Sequence, residues 1–107
     1  MTSREAYERA LDLDRRDQGL EKVVLTSPRW SCWYALDVVG GRWPEAEPII
    51  LTNSEYAFCY ILDVVKGRWP EAESIILTDP YWSYHYAKII IKGRWPEAEE
   101  IILGRIS

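Results

Sequence analysis

One string of seven residues, Gly-Arg-Trp-Pro-Glu-Ala-Glu, occurs three times in this chain of 107 residues. The copies begin at Gly41, Gly67 and Gly93, so they are 26 residues apart. Repetition at a fixed period of this length is typical of arrays in which one supersecondary unit stacks on the next, because a single unit cannot bury its own apolar face. The chain is therefore expected to form one helical-repeat domain, residues 1–107, rather than a core assembled from unrelated elements.

The period divides the chain into units. Three clear repeat units span residues 29–54, 55–80 and 81–107. Another step of 26 residues towards the N-terminus reaches a stretch that keeps Arg16 and Glu21 in register but lacks the Trp and the Pro. We interpret residues 1–28 as a degenerate capping unit, since the terminal unit of an array needs a polar outer face to stay soluble.

Each unit carries the start and stop signals of two helices. Ser27, Asn53 or Asp79 stands where a first helix needs an N-cap, and the glycine of the string stands where a helix end favours a left-handed residue. Arg-Trp-Pro then leads into a second helix, since Pro suits a first turn. The pattern predicts an all-α fold, a short solenoid of about four 26-residue helical hairpins. A sheet-containing repeat is the alternative, but its Ile-rich runs are flanked by helix caps.

The second helix of each unit is short, roughly eight residues, so it must be held by docking its Ile-Ile-Leu triplet. Pro48 falls near the fifth position of that helix in the first full unit, where it would remove a hydrogen bond. We expect a late start or a kink there.

When the units are aligned, each set of equivalent positions forms a column. Columns in which every unit keeps the same kind of residue are expected to serve the packing common to all units. Four such columns lie on one stripe of the first helix and predict its core face. They hold Trp30, Tyr56 and Trp82; Ser31, Ala57 and Ser83; Tyr34, Tyr60 and Tyr86; and Val38, Val64 and Ile90.

A conserved pair of charges recurs in each elbow between the two helices. Arg42, Arg68 and Arg94 each stand five residues before a glutamate, which is Glu47, Glu73 or Glu99. The capping unit keeps the same pair as Arg16 and Glu21. We expect these residues to form an ion-pair ladder between units, with each arginine stacked on its neighbouring tryptophan.

Other columns of the first helix differ from unit to unit, so they are free to serve a local purpose. They hold Arg29, Glu55 and Tyr81; Cys32, Phe58 and Tyr84; Trp33, Cys59 and His85; and Leu36, Leu62 and Lys88. Contiguous exposed apolar side chains mark interaction sites. The predicted partner-binding residues are Trp33, Phe58, Leu62, Tyr84 and His85. The alternative is that these columns pack beneath the second helices.

The sequence shows no catalytic constellation. His85 is the single histidine and has no nucleophile at a recognisable spacing, and there is no phosphate-binding glycine loop or zinc spacing. We therefore expect no enzymatic activity, no cofactor and no bound metal. Cys32 and Cys59 are expected to be free thiols in a reducing cytoplasm, and no segment is apolar enough to span a membrane.

The pattern Tyr-Ala-x-x-Val-Ile-Lys-Gly-Arg-Trp-Pro-Glu-Ala-Glu resembles a short helical repeat of bacteriophage and phage-derived bacterial proteins. Trp43, Pro44, Glu45, Ala46 and Glu47 and their copies carry the resemblance, which covers residues 29–107 well. It differs at Gly40, where the repeat has Lys, and at Ile61, where it has Ala. The resemblance implies a helical-repeat fold and a phage origin, with the host cytoplasm as location.

Three functions are compatible with these features. The first is a non-enzymatic protein-binding scaffold, in its sharper form a phage-encoded inhibitor of a host defence system, for example of CRISPR type, or of a regulatory protein. The second is a structural, self-assembling repeat protein. The third is a nucleic-acid-binding module, which would need Lys66, Lys88, Lys92 and Arg94 on one face and is disfavoured by the net charge of −4.

The last unit has no following unit to cover its second helix. The apolar residues concerned are Ile101, Ile102, Leu103 and Ile106. A two-fold pairing would cover them without forming fibres, so we expect a homodimer through residues 81–107.

Overall fold

The computed structural model of the protein describes the backbone of residues 1–103 and the side chains of residues 1–99. Over that range the chain forms helices and no strand, which confirms the all-α prediction. The α-helices are α1 (Ser3–Leu13), α2 (Gln18–Val24), α3 (Pro28–Tyr34), α4 (Glu47–Ile50), α5 (Ser54–Tyr60), α6 (Pro70–Ile76), α7 (Pro80–His85) and α8 (Pro96–Leu103). None of the helices in this part of the chain is long and apolar enough to cross a bilayer.

The helices pack in sequence order. Each first helix, namely α3, α5 or α7, contacts the second helix of its own unit and the first helices next to it, and α1 packs against both α2 and α3. The molecule measures 50 × 22 × 17 Å along its principal axes. The predicted N-caps are confirmed: the side chains of Ser27, Asn53 and Asp79 accept hydrogen bonds from backbone N–H groups in the first turns of α3, α5 and α7.

The second helix of the first full unit starts late, as predicted from Pro48. Pro44–Ala46 forms a single 3₁₀ turn, and α4 begins only at Glu47, so that Pro48 lies in its first turn. In the next unit, where serine replaces this proline, α6 begins directly at Pro70. The position of Pro48 thus sets the length of the helix, because proline is tolerated only where no N–H is needed.

The first helices end in wide π turns that the sequence analysis did not predict. The π segments Ala35–Val39, Ile61–Val65 and Tyr86–Ile91 continue α3, α5 and α7. Their last turns close through N–H groups that reach back five residues, as from Lys66 to the carbonyl of Ile61 at 2.7 Å.

The left-handed residue at each of these helix ends lies one position before the predicted one. It is Gly40, Lys66 or Lys92, with φ of 77°, 58° and 62°. The prediction of Gly41, Gly67 and Gly93 was wrong, because the chain reverses at the residue whose N–H closes the wide turn.

These dihedral angles predict opposite behaviour for two adjacent glycines. Gly40→Ala should lower the free energy of unfolding by about 1 kcal/mol, because a Cβ disfavours the left-handed conformation. Gly41→Ala should be nearly neutral, since an added Cβ meets nothing within 4 Å and the residue has no positive φ. Urea denaturation of both variants measures the difference, and equal losses would contradict the assignment.

A tyrosine hydroxyl joins each first helix to the unit before it. The hydroxyl of Tyr60 donates to Oε2 of Glu47 at 2.8 Å and accepts the backbone N–H of Trp43 at 2.7 Å. Arg42 holds the same carboxylate through two bonds of 2.9 Å, from Nε and Nη2. We call this arrangement of tyrosine, glutamate, arginine and backbone N–H the joint.

The joint occurs three times with the same atoms. Tyr34 donates to Glu21 at 2.8 Å and accepts the N–H of Asp17 at 3.2 Å. Tyr86 donates to Glu73 at 2.7 Å and accepts the N–H of Trp69 at 3.0 Å. Each tyrosine is fully buried, so its hydroxyl must find partners inside the protein.

The predicted pairing of arginine with glutamate is confirmed, but the predicted ladder between units is wrong. Arg42 and Glu47 belong to the same elbow, and the tyrosine is the residue that crosses to the next unit. The arginine also stacks differently from the prediction, because Arg42 lies over the ring of Trp69 in the next unit, 5.5 Å from its centroid.

Small residues let the first helices approach the preceding unit closely. Ser31, Ala57 and Ser83 are fully buried. The hydroxyl of Ser31 donates to the carbonyl of Val24 at 3.1 Å, and that of Ser83 donates to the carbonyl of Ile76 at 2.9 Å. Each bond ties a first helix to the last turn of the second helix before it, so the core stripe predicted from the constant columns is an interface between units.

The joint shifts the pKa of its groups in opposite directions. Burial raises the pKa of Tyr34 and Tyr86 to about 12, and the hydrogen bonds to Glu21 and Glu73 act in the same direction. Burial also opposes ionisation of Glu47, but hydrogen bonds from Arg42 and Tyr60 outweigh it, so the pKa of Glu47 is lowered. The glutamate is therefore ionised and the tyrosine neutral over the physiological range.

Removal of one joint hydroxyl should destabilise the fold. We expect Tyr60→Phe to lower the free energy of unfolding by about 2 kcal/mol, because it leaves a buried N–H and a partly buried carboxylate without their shared partner. Tyr81→Phe is the matched control, since Tyr81 is exposed and should change stability little. Equal effects of the two substitutions on urea denaturation would show that the joint contributes nothing.

The pKa shifts also predict how stability depends on pH. Because the folded-state pKa values of Glu21, Glu47 and Glu73 lie below the ordinary 4.5, their contribution is present above pH 4.5 and lost as the pH falls through the folded values. The pKa values of Tyr34 and Tyr86 are raised in the folded state, so their contribution to stability is present below pH 10. It is lost as the pH rises from 10 to about 12. The urea midpoints at pH 7 and pH 3 measure how much stability is lost in acid. Glu47→Gln should make that difference smaller, because one of the titrating carboxylates is removed.

The residues predicted to form the dimer interface, Ile101, Ile102, Leu103 and Ile106, lie outside the residues whose side chains the structure describes. The homodimer stays a prediction.

Candidate protein-binding surface

The divergent columns lie on α3, α5 and α7 and on their π extensions, and the structure exposes some of these residues and buries others. Trp33, Leu62 and Tyr84 are among the large hydrophobic side chains open to solvent. We call these three side chains, together with the exposed Tyr81 and the half-buried His85, the outer face. Three of the five predicted contact residues are thus exposed, one in each repeat unit, whereas His85 is half-buried and Phe58 is buried.

Phe58 is not part of this surface. Its side chain is only 4% exposed and packs against Trp82, with ring centroids 5.0 Å apart. Cys32, in the same column, is equally buried. This column faces the next first helix, which covers it, and only Tyr84 in the last unit remains open. The expectation of an exposed Phe58 does not hold, and the cover is a first helix rather than the second helices considered as the alternative.

His85 lies within a group of aromatic rings. Its imidazole is in edge-on contact with Tyr81 at 4.4 Å and with Tyr84 at 5.4 Å, measured between ring centroids. Phe58 and Trp82 lie beneath it at 6.4 and 6.3 Å. The imidazole therefore helps to hold Tyr81 and Tyr84 in place at the surface.

Two exposed apolar residues were missing from the predicted set. Tyr81 is 61% exposed, the largest fraction among the exposed hydrophobic side chains of the described region. Ile89 is also exposed, and it occupies the column in which the two earlier units have Asp37 and Asp63. The sequence could have identified Ile89, because its column changes from aspartate to an apolar residue. It could have identified Tyr81, because its column also differs from unit to unit.

Exposed charged residues lie close in sequence to the apolar residues of the outer face. Glu55 and Asp63, on the middle first helix and its π extension, are exposed near Leu62 in the sequence. The ammonium group of Lys88 lies over the ring of Tyr84, 5.8 Å from its centroid. Arg94, one of the four basic residues that a nucleic-acid site would use, is already engaged by Glu99.

The described part of the chain does not bring catalytic or metal-binding groups together. No group of three His, Cys, Asp or Glu side chains there could hold a metal ion. Both cysteines are free, and burial raises the pKa of the Cys32 thiol to about 12, which keeps it protonated. The outer face presents exposed aromatic and aliphatic side chains, which can make apolar contacts.

Comparison with models of protein families, with characterised proteins and with solved structures finds no match to this chain. Its function is therefore inferred from its surface.

Proposed function

We propose that the protein is a non-enzymatic scaffold, a short solenoid of four helical hairpins that binds a protein partner through its outer face. The observation that carries this proposal is the exposure of Trp33, Leu62, Tyr81 and Tyr84 on successive first helices. The core has its own set of aromatic residues, in the constant columns. The exposed ones are therefore not required for folding, and large apolar side chains without a folding role are typical of contact sites.

The residue types on the outer face suit protein recognition. Trp and Tyr are enriched among the residues that dominate binding energy, since a rigid ring covers much area at little entropic cost. The rings of Tyr81 and Tyr84 contact His85, which itself packs on Phe58, and these contacts reduce their freedom before binding. A surface that is already ordered loses less entropy when a partner docks.

The net charge of −4 and the exposed Glu55 and Asp63 favour a partner with a neutral or basic rim. The sharper form of the proposal is a phage-encoded inhibitor that occupies a host defence or regulatory protein in the host cytoplasm. This form of the proposal is supported by the resemblance of the sequence to phage repeats and by the small size and net negative charge of the protein.

The experiment compares variants in a pull-down from bacterial host lysate. Trp33→Ala and Tyr84→Ala should each weaken capture of the same partner, by about 2 kcal/mol or more, because a central aromatic side chain would be lost from the contact. The melting temperature should hardly change, since both side chains are exposed.

Leu13→Ala is the matched control, because Leu13 is an exposed apolar residue that lies on α1 and belongs to none of the helices that carry the outer face. It should leave capture unchanged. A large loss of stability in Trp33→Ala would identify Trp33 as a core residue, and unchanged capture in both aromatic variants would exclude the outer face as the binding site.

A further inference from the structure

The two cysteines of the chain lie on neighbouring first helices. Cys32 belongs to α3 and Cys59 to α5, and these two helices pack against each other. Both side chains are free thiols. Cys32 is buried and Cys59 is half-buried, so neither is one of the exposed side chains of the outer face, and the proposed function leaves both unused.

The repeat shows how the two thiols are placed relative to each other. A shift of 26 positions along the sequence takes Cys32 to Phe58. The same shift takes Cys59 to His85. Phe58 and His85 face each other across the contact between α5 and α7, with ring centroids 6.4 Å apart. The corresponding relation places Cys32 and Cys59 opposite each other across the contact between α3 and α5.

The contact between first helices keeps its geometry along the array, which supports this comparison. Phe58 packs on Trp82 with ring centroids 5.0 Å apart. On α1, Tyr7 packs in a similar way on Trp30, the equivalent of Trp82, at 5.3 Å. Cys32 and Phe58 are each 4% exposed, so α5 covers Cys32 as α7 covers Phe58.

Electrostatics also places the two sulfur atoms near each other. Burial raises the pKa of the Cys32 thiol to about 12, and negative charge on Cys59 is the next largest cause of the rise. An interaction between two such charges falls off with distance, so a neighbouring thiol is required to produce it. A disulfide needs Cβ atoms about 4 Å apart, which two short side chains that meet across a helix contact can reach.

We propose that Cys32 and Cys59 are a redox-active pair, which a small-molecule disulfide such as glutathione disulfide oxidises to a reversible bond between α3 and α5. In a reducing compartment both side chains stay in the thiol form that the structure shows. A rise in glutathione disulfide closes the bond, which joins two consecutive units covalently and makes the array more resistant to unfolding.

The bond forms in two thiol–disulfide exchanges. The thiolate of Cys59, the more exposed of the two, attacks one sulfur of glutathione disulfide, whose S–S bond breaks as a mixed disulfide forms. The first glutathione leaves as a thiolate and takes up the proton that Cys59 lost. The small deprotonated fraction of Cys32 then attacks Sγ of Cys59, and the second glutathione leaves as a thiol. Two protein thiols are oxidised to one disulfide, and one glutathione disulfide is reduced to two thiols.

The test treats the reduced protein, as the full chain, with an excess of glutathione disulfide under native conditions. The intact mass should fall by that of two hydrogen atoms, and a digest without reductant should contain a peptide pair joined through Cys32 and Cys59. The urea midpoint should rise on oxidation and return on addition of dithiothreitol, because the bond restricts the unfolded chain. A stable glutathione adduct without an internal bond, a bond between two molecules, or a lower urea midpoint would overturn the proposal.

Single-cysteine variants test the order of the two steps. Cys32→Ala should accumulate the mixed disulfide on Cys59, because no second thiol is left to displace the glutathione. Cys59→Ser should remain largely unmodified, since its remaining thiol is buried. Rapid modification of Cys32 in that variant would show that the reagent reaches it directly, and the proposed pairing would be wrong.

A relocated thiol is the matched control for chain flexibility. Cys59→Ser combined with Leu62→Cys moves the second thiol along the same first helix to an exposed position on its π extension. This variant should take up glutathione without forming an internal bond to Cys32. An internal bond that forms as fast as in the unaltered protein would show that facing positions are not required, which contradicts the proposal.

Discussion

The buried tyrosine hydroxyl is the interaction on which the arrangement of the units depends. It lies between an ionised carboxylate and a backbone N–H, and these two groups belong to the elbow before it. A hydroxyl can donate and accept at once, so one side chain satisfies both groups. Apolar contact alone would hold neighbouring helices together without fixing how far one is displaced along the other. The joint fixes it, because its bonds tolerate deviations of only a few tenths of an ångström.

A fixed axial position of each unit relative to the next also fixes the relative positions of the exposed side chains on successive units. Trp33, Leu62 and Tyr84 belong to three different first helices, and their relative positions follow from the joints at Tyr60 and Tyr86. The side chains that vary between units can change without loss of the fold, because the joint uses none of them. The residues that pack the units against one another therefore repeat along the chain, whereas the exposed residues vary from unit to unit.

Much of the fold could be predicted from the sequence because its signals are local. The caps at Ser27, Asn53 and Asp79 and the late start at Pro48 depend on residues a few positions away, and those expectations are confirmed. The π turns and the left-handed Gly40 were not predicted, since helix caps and helical periodicity do not distinguish a last turn closed five residues back from one closed four residues back. Phe58 was placed wrongly for a related reason: helical spacing identifies a face, but not which face the next helix covers. The joint was missed because its partners are 13 and 17 residues apart.

The residues of the elbow differ between units, and the differences show which of them the joint needs. In the degenerate first unit the Trp and Pro of the elbow are lost, yet Arg16 and Glu21 remain, and Tyr34 uses them. Within this chain, then, elbow residues persist where a tyrosine needs them even when their neighbours have changed. Arg94 and Glu99 form the same two-bond pair in the elbow before α8. An exposed ion pair contributes little to stability by itself, so the stabilising part of each joint is the buried tyrosine hydroxyl that bridges the pair to a backbone N–H.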